Sequence, residues 1–162
     1  MREVGQNGLD LIRHVEGTVL HVYLDSRGLP TVGTGHLVRA ADGLNVGDEI
    51  SPERAESLLK ADLGSAEACV DRALPYLTQN QFDALCSFVF NVGCTAFLGS
   101  QLKHFCDAGN FDLAAEQFQV WTRAGNTHPR GLRIRRLLER DLFLAPDGPM
   151  PQGWLGAHDD EP

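Results

Sequence analysis

The chain lacks the features that would place it in several large classes. Its four cysteines form no CxxC pair and offer no zinc-ligand spacing, which excludes a structural zinc site as the organising element. Cys69, Cys86, Cys94 and Cys106 are interleaved with apolar residues. They read as reduced, buried thiols acting as small hydrophobes, a pattern suited to a reducing cytoplasm. No apolar run approaches the ~20 residues of a membrane crossing. Residues 1–15 contain Glu3, Asp10 and His14 where an export leader needs an apolar core, so no cleavable leader is expected. No internal repeat is present. No Lys-Ser/Thr follows the glycine-rich stretch at 28–35, which argues against a phosphate-cradling loop.

What is present is ordinary globular material: 162 residues, 43% hydrophobic and 22% charged, enough for one domain with its own core. The net charge of −8 is unevenly spread. Residues 1–122 carry 8 basic and 16 acidic side chains, and an acidic chain is a poor polyanion binder. Residues 123–140 hold six arginines (Arg123, Arg130, Arg133, Arg135, Arg136 and Arg140) against Glu139 alone. That cluster reads either as a local carboxylate site or, for most of its members, as a solvated helix face.

The pattern predicts an α+β, mostly α fold. Leu9, Ile12 and Val15 recur at helical spacing and predict a helix over about 7–15, ending near Gly17. Leu20, Val22 and Leu24 then alternate with polar neighbours as in a two-faced strand. Ser26-Arg27-Gly28 supplies a turn and Thr31 to Gly35 a return strand. Residues 37–50 read as loop and turn with room for one more short strand. Ser51-Pro52-Glu53 opens a long helix running to Pro75, with N-cap, Pro at the first position and an acid in the first turn. Thr78 and Gln81 form a capping box for a helix closed by Gly93. Further helices are expected over 100–107, 111–122 and 131–144. The expected layout is a catalytic domain over 1–145: a hairpin lobe over about 18–50, a linking helix over about 52–73 and a helical lobe over about 78–145, with a cleft between the lobes. Residues 146–162 read as an acidic, flexible tail without a packing stripe, Trp154 being its one anchor candidate.

Glu16 falls at the end of the first helix, Asp25 at the end of the first strand, and Thr31 at the start of the return strand. An acid on a helix end facing a carboxylate and a hydroxyl on a hairpin is the set a glycosidase needs. One carboxyl protonates the leaving oxygen while the other, with the hydroxyl, holds a water. The spacing alone is common.

The surrounding residues are not. Leu11 to Gly17, Tyr23 to Gly28 and Thr31 to His36 closely resemble the phage-type lysozymes, or endolysins, of glycoside hydrolase family 24. Downstream, Gln79 to Leu85, Ser87 to Gly93, Trp121, and Gly131 to Arg136 with Glu139 resemble that family's helical lobe, so the likeness spans about 7–145. It implies a lysozyme-like fold and hydrolysis of the β-1,4 bond between N-acetylmuramic acid and N-acetylglucosamine in peptidoglycan, by inversion and without a cofactor. Glu16 would be the general acid, and Asp25 with Thr31 would hold the attacking water. Carboxyls about 6.5–9.5 Å apart leave room for that water. By family position Arg133, or Arg136 one turn on, would orient Glu16, and His36 would pair with Asp62. His36 equally suits a core histidine bonded to backbone. Leu37, Phe90, Ser100 and Gln117 would line the glycan site, although Phe90 also fits a core stripe.

The expected partner is the glycan strand of peptidoglycan, and the expected state a monomer. With no leader, the enzyme would wait in the host cytoplasm until a holin opened the way to the periplasm. Two other readings share the motifs: a prophage-derived or secreted effector lysozyme, and a peptidoglycan-binding module without turnover.

Overall fold

A computed structural model describes residues 1–162. It contains seven α-helices and one three-stranded antiparallel sheet, so the α+β, mostly helical expectation holds. The chain divides into two compact units: residues 12–64, and residues 1–11 together with 65–162. Helices α1 (Gln6–Glu16) and α2 (Pro52–Ala73) each have one end in either unit.

The small unit holds β1 (Val19–Leu24), β2 (Pro30–Gly33) and β3 (His36–Leu37) in the order β1-β2-β3. Tyr23 pairs with Thr31 and Leu24 with Pro30, and a register irregularity lies between Val19 and Tyr23. That irregularity breaks the expected two-faced alternation: Val22 is buried, whereas Leu20 and Leu24 are exposed. β2 in turn pairs Thr31 with Leu37 and Val32 with His36. Within the 37–50 stretch, expected as loop and turn with room for one more short strand, residues 45–50 run along the outer edge of β1. There Val22 N–H donates to Asp48 O (2.8 Å) and Ile50 N–H to Leu20 O (2.8 Å). Those bonds occupy backbone groups that an open edge would leave unpaired. Val22, Val32, Ile50 and Ala55 form the core of this unit, with Val38, Leu44 and Leu58 packed against it. Gly33 ends β2 at φ +64, and a Cβ there would sit 3.6 Å from the Ala55 backbone. That contact would be ordinary, so it is the left-handed turn that calls for glycine here.

The larger unit is built around α3 (Gln79–Val92), in which residues 82–89 are all buried. Its capping box forms as expected, Thr78 accepting from the Gln81 N–H. Around it lie α4 (Cys94–Leu98), α5 (Gln101–Asp107), α6 (Phe111–Gln117) and α7 (Arg130–Leu144). The expected 111–122 helix stops at Gln117 and tightens to a 3₁₀ turn over Phe118–Val120. Phe118 is fully buried there, edge-on to Phe88 (5.6 Å) and Phe143 (5.5 Å). Glu139 is wholly buried and accepts from Ser87 Oγ (2.8 Å), Arg135 Nε (3.0 Å) and Arg136 Nη1 (2.6 Å). Four of the six clustered arginines are exposed or half-buried, as expected for most of them, but Arg135 and Arg136 are core residues compensated by the one acid among them.

The N-terminal segment is tied to this unit. Asp83 of α3 accepts from Gly5 N–H (2.9 Å) and Gly8 N–H (3.2 Å), supplying the N-cap that the start of α1 lacks in sequence. Burial pushes the Asp83 carboxyl upward against those bonds. A Cβ on Gly8 would lie 2.5 Å from Val4 Cγ1 and 2.9 Å from Asp83 Cβ, so only glycine fits there.

Two expectations are corrected. Cys69, near the end of α2, and Cys94, at the start of α4, are joined in a disulfide that closes a 25-residue separation. Only Cys86 and Cys106 are free buried thiols. A bond between helix ends distant in sequence leaves no local spacing signal, and its presence suits an oxidising compartment, not the reducing cytoplasm. Residues 146–162 also pack, although no apolar stripe announces it. Asn80 Nδ2 donates to Pro146 O (2.7 Å), His158 Nε2 lies 2.6 Å from Asp141 Oδ2, and Arg130 donates to Glu161 O (3.0 Å). The segment is held by backbone carbonyls and charged pairs instead of apolar periodicity.

Candidate active site

Glu16, Asp25 and Thr31 all belong to the small unit, Glu16 at the end of α1, Asp25 just after β1 and Thr31 near the start of β2. Glu16 is the last residue of α1 and is exposed. The helix stops because Gly17 takes φ +73, its N–H closing back on Arg13 O at 2.9 Å. Asp25 follows the last residue of β1. Its N–H donates to Leu29 O (2.9 Å), while its Oδ1 accepts from Arg27 N–H (2.8 Å) and Leu29 N–H (2.9 Å). The turn is therefore folded around this carboxylate.

Asp25 Oδ2 faces the Arg27 guanidinium, with Nη2 at 3.2 Å and Nε at 3.4 Å. The Leu29 N–H holds the Asp25 carboxyl below its ordinary 3.8 against the opposing effect of partial burial, and Arg27 adds to the depression. The group is a carboxylate at neutral pH. Thr31 is buried, and its Oγ1 donates to Leu29 O (3.0 Å). One residue thus anchors both side chains: Leu29 O accepts from the Asp25 backbone and the Thr31 hydroxyl, and Leu29 N–H donates to the Asp25 carboxylate. With its only proton committed to Leu29, the Thr31 oxygen presents acceptor lone pairs, and the carboxylate is acceptor-only.

His36 and Asp62 are brought together: Nδ1 lies 2.8 Å from Asp62 Oδ2. Nε2 lies 3.0 Å from Asp42 Oδ2, a second partner that sequence reading treated as turn. Burial alone would lower the imidazole, but the hydrogen bonds to Asp42 and Asp62 outweigh it and raise it above its ordinary 6.5. An imidazolium donating from both nitrogens therefore ties β3, the 3₁₀ turn Ala40–Asp42 and α2 together, next to the strand that carries Thr31.

The remaining candidates are distributed differently. Leu37 is in the small unit and 43% exposed. Phe90, Ser100, Gln117, Arg133 and Arg136 belong to the larger unit. Phe90 and Gln117 are half-buried. Ser100 is the N-cap of α5, its hydroxyl accepting from Lys103 N–H (3.1 Å) and donating to Phe97 O (2.7 Å), so its proton is committed to the fold. Arg133 donates to His128 O (2.6 Å) and to Pro162 O. Arg136 donates to Trp121 O (2.8 Å), Glu139 and Asn91 and lies over the Phe88 ring, 4.9 Å from its centroid. Sequence reading missed the contact of Arg27 with Asp25. An arginine two residues after a turn aspartate was its only signal. No cluster of three or more His, Cys, Asp and Glu able to hold a metal ion occurs, and no helix is long and apolar enough to cross a membrane.

Comparison with known proteins places this geometry. A family model described as phage lysozyme matches residues 13–139. The endolysin of Salmonella phage P22 is 40% identical over 148 residues, covering 90% of this chain and 100% of the relative. A SAR-endolysin of Escherichia phage Mu is 35% identical over 136 residues, covering 80% of this chain and 74% of the relative. Among solved structures, a P22 lysozyme variant superposes with a TM-score of 0.81 at 39% identity, covering 90% of this chain and 100% of that one. The muramidase domain of SpmX from Asticaccaulis excentricus gives 0.78 at 32%, covering 90% and 100%.

Proposed function

Because the chain belongs to the phage lysozyme family, we propose that it is an endolysin whose Glu16, Asp25 and Thr31 hydrolyse the glycan strand of peptidoglycan in a single inverting displacement. The bond is the β-1,4 link between N-acetylmuramic acid and N-acetylglucosamine. Glu16 gives its proton to the glycosidic oxygen as the bond to the anomeric carbon breaks. A water held by the Asp25 carboxylate and the Thr31 oxygen attacks the opposite face of that carbon and passes its proton to Asp25. Solvent then restores both groups.

The observation that supports this reading is the shared Leu29 anchor, which fixes the Asp25 carboxylate and orients the Thr31 hydroxyl, the two groups this reading assigns to the water. Action in the periplasm is supported by the likeness to SAR-endolysins and by the Cys69–Cys94 disulfide, which suits that compartment. Passage to the wall through a holin-made opening is part of the same proposal.

The test is lysis of outer-membrane-permeabilised cells by wild type and Glu16→Gln. The variant keeps shape and loses the transferable proton, so clearing should slow by ~10²–10⁴-fold. Equal rates would remove Glu16 from the mechanism.

A further inference from the structure

The larger unit carries a cavity of about 530 Å³ that the reaction above does not use. Its two walls differ in chemistry. The tail supplies one: Trp154, half-buried, with Met150, Pro149 and Pro151. The other comes from the starts of α1 and α3 and consists of planar amides and carboxylates, among them Asn7, Asp10, Gln79, Asn80 and Asp83.

No lysine, arginine or histidine lines the cavity, and two carboxylates do, so it does not suit an anionic ligand. The polar wall is preset. Asn7 Nδ2 donates to Asn80 Oδ1 (2.8 Å) and Gly148 O (2.9 Å), Gln79 Nε2 to Asp83 Oδ1 (2.7 Å), and Gln6 Nε2 to Asp10 Oδ1 (2.7 Å). With the bond from Gln79 Nε2 to Glu3 O (3.0 Å), these bonds commit both amide protons of Asn7 and of Gln79, and the oxygens Asn7 Oδ1 and Asn80 Oδ1, each already accepting one bond, keep a second lone pair, a balance that suits a ligand rich in hydroxyl or amide donors. A pyranose has that character, with an apolar C–H face for an indole and a rim of donors for the opposing acceptors. The tail wall, residues 148–154, lies outside the stretch that matches the phage lysozyme family, 13–139.

We propose that this cavity is a second, non-catalytic glycan site that takes a neutral N-acetylated pyranose of the wall strand, with Trp154 as its platform. The identity of the natural ligand rests on the peptidoglycan reading above; the sugar chemistry of the cavity does not.

The experiment uses the full chain carrying Glu16→Gln, labelled with ¹⁵N and titrated with N,N′-diacetylchitobiose. The two indole N–H signals are told apart by the one missing from a Trp154→Phe sample. The proposal expects the Trp154 indole and the Asn7 and Asn80 side-chain amides to shift together, to the same extent at low and high salt. Movement confined to resonances of residues 12–64 overturns it, and so does a Trp154 indole that stays unmoved at saturating disaccharide. On insoluble sacculi, Glu16→Gln should be retained about tenfold better than Glu16→Gln/Trp154→Ala, with equal thermal midpoints for the two. Equal retention contradicts the proposal. If wild type failed to hydrolyse sacculi while the Trp154 signal still moved, the muramidase reading would fall and the glycan site would stand.

Discussion

Replacing His36 by alanine is the perturbation most fully determined by the geometry. The imidazole is 5% exposed and is held between Asp62 at 2.8 Å and Asp42 at 3.0 Å. Removing one member of a buried charge pair costs about 3–5 kcal/mol. Asp42 and Asp62 keep 16% and 17% of their side-chain surface in water, which moves the expectation to the low end, about 3 kcal/mol. At roughly 2–4 °C per kcal/mol for a chain of this size, the midpoint should fall by about 10 °C.

The sign with pH is a sharper test. The folded imidazole titrates above its ordinary 6.5, so the native state keeps a proton that the unfolded chain gives up. Its contribution is complete below pH 6.5 and disappears as pH rises through the folded value. Asp42, held below 3.8 first by the Arg39 N–H and then by His36, reports the same contact from the other partner. Urea denaturation of wild type and His36→Ala at pH 5.5 and pH 9 should therefore give a difference of about 3 kcal/mol at the lower pH. At the higher pH it should shrink to about 1–2 kcal/mol, the worth of neutral hydrogen bonds. An equal difference at both values would refute the charged bridge. Because His36 pairs with Val32 in the register that pairs Thr31 with Leu37, lysis activity should fall with the same variant.

Cys69→Ser opens a closed loop of 25 residues and should lower stability by roughly 3 kcal/mol, matched by wild type in reducing agent; no change on reduction would deny the bond in solution. Deleting residues 146–162 strips partners from Asn80, Arg130 and Asp141, and should lower the thermal midpoint by several degrees, about 2 kcal/mol in all. An unchanged midpoint would mean the tail does not pack.

Much of this was legible before any coordinates. Ser51-Pro52-Glu53 marks the start of α2 and the Thr78–Gln81 box that of α3, because capping chemistry is local and satisfies specific backbone groups. The hairpin, with Asp25 and Thr31 at its ends, was legible from the change of period after Gly17. What escaped depends on partners remote in sequence. Asp42 reads as turn until β3 sets His36 beside it, and Asp83 gives no sign of capping α1, 75 residues upstream. α4 is five residues long between Gly93 and Gly99, too short for any periodicity to show. The 146–162 segment packs through carbonyls and charged pairs, which leave no hydrophobic pattern to read.

Water held on Asp25 and Thr31 is the claim on which the catalytic account turns, and the configuration of the first product reports it. Proton NMR of the reducing end released early in the cleavage of a β-1,4 glycan should show the α anomer appearing first, followed by slow mutarotation. A β anomer formed first would mean that a carboxylate, and not water, attacks the sugar.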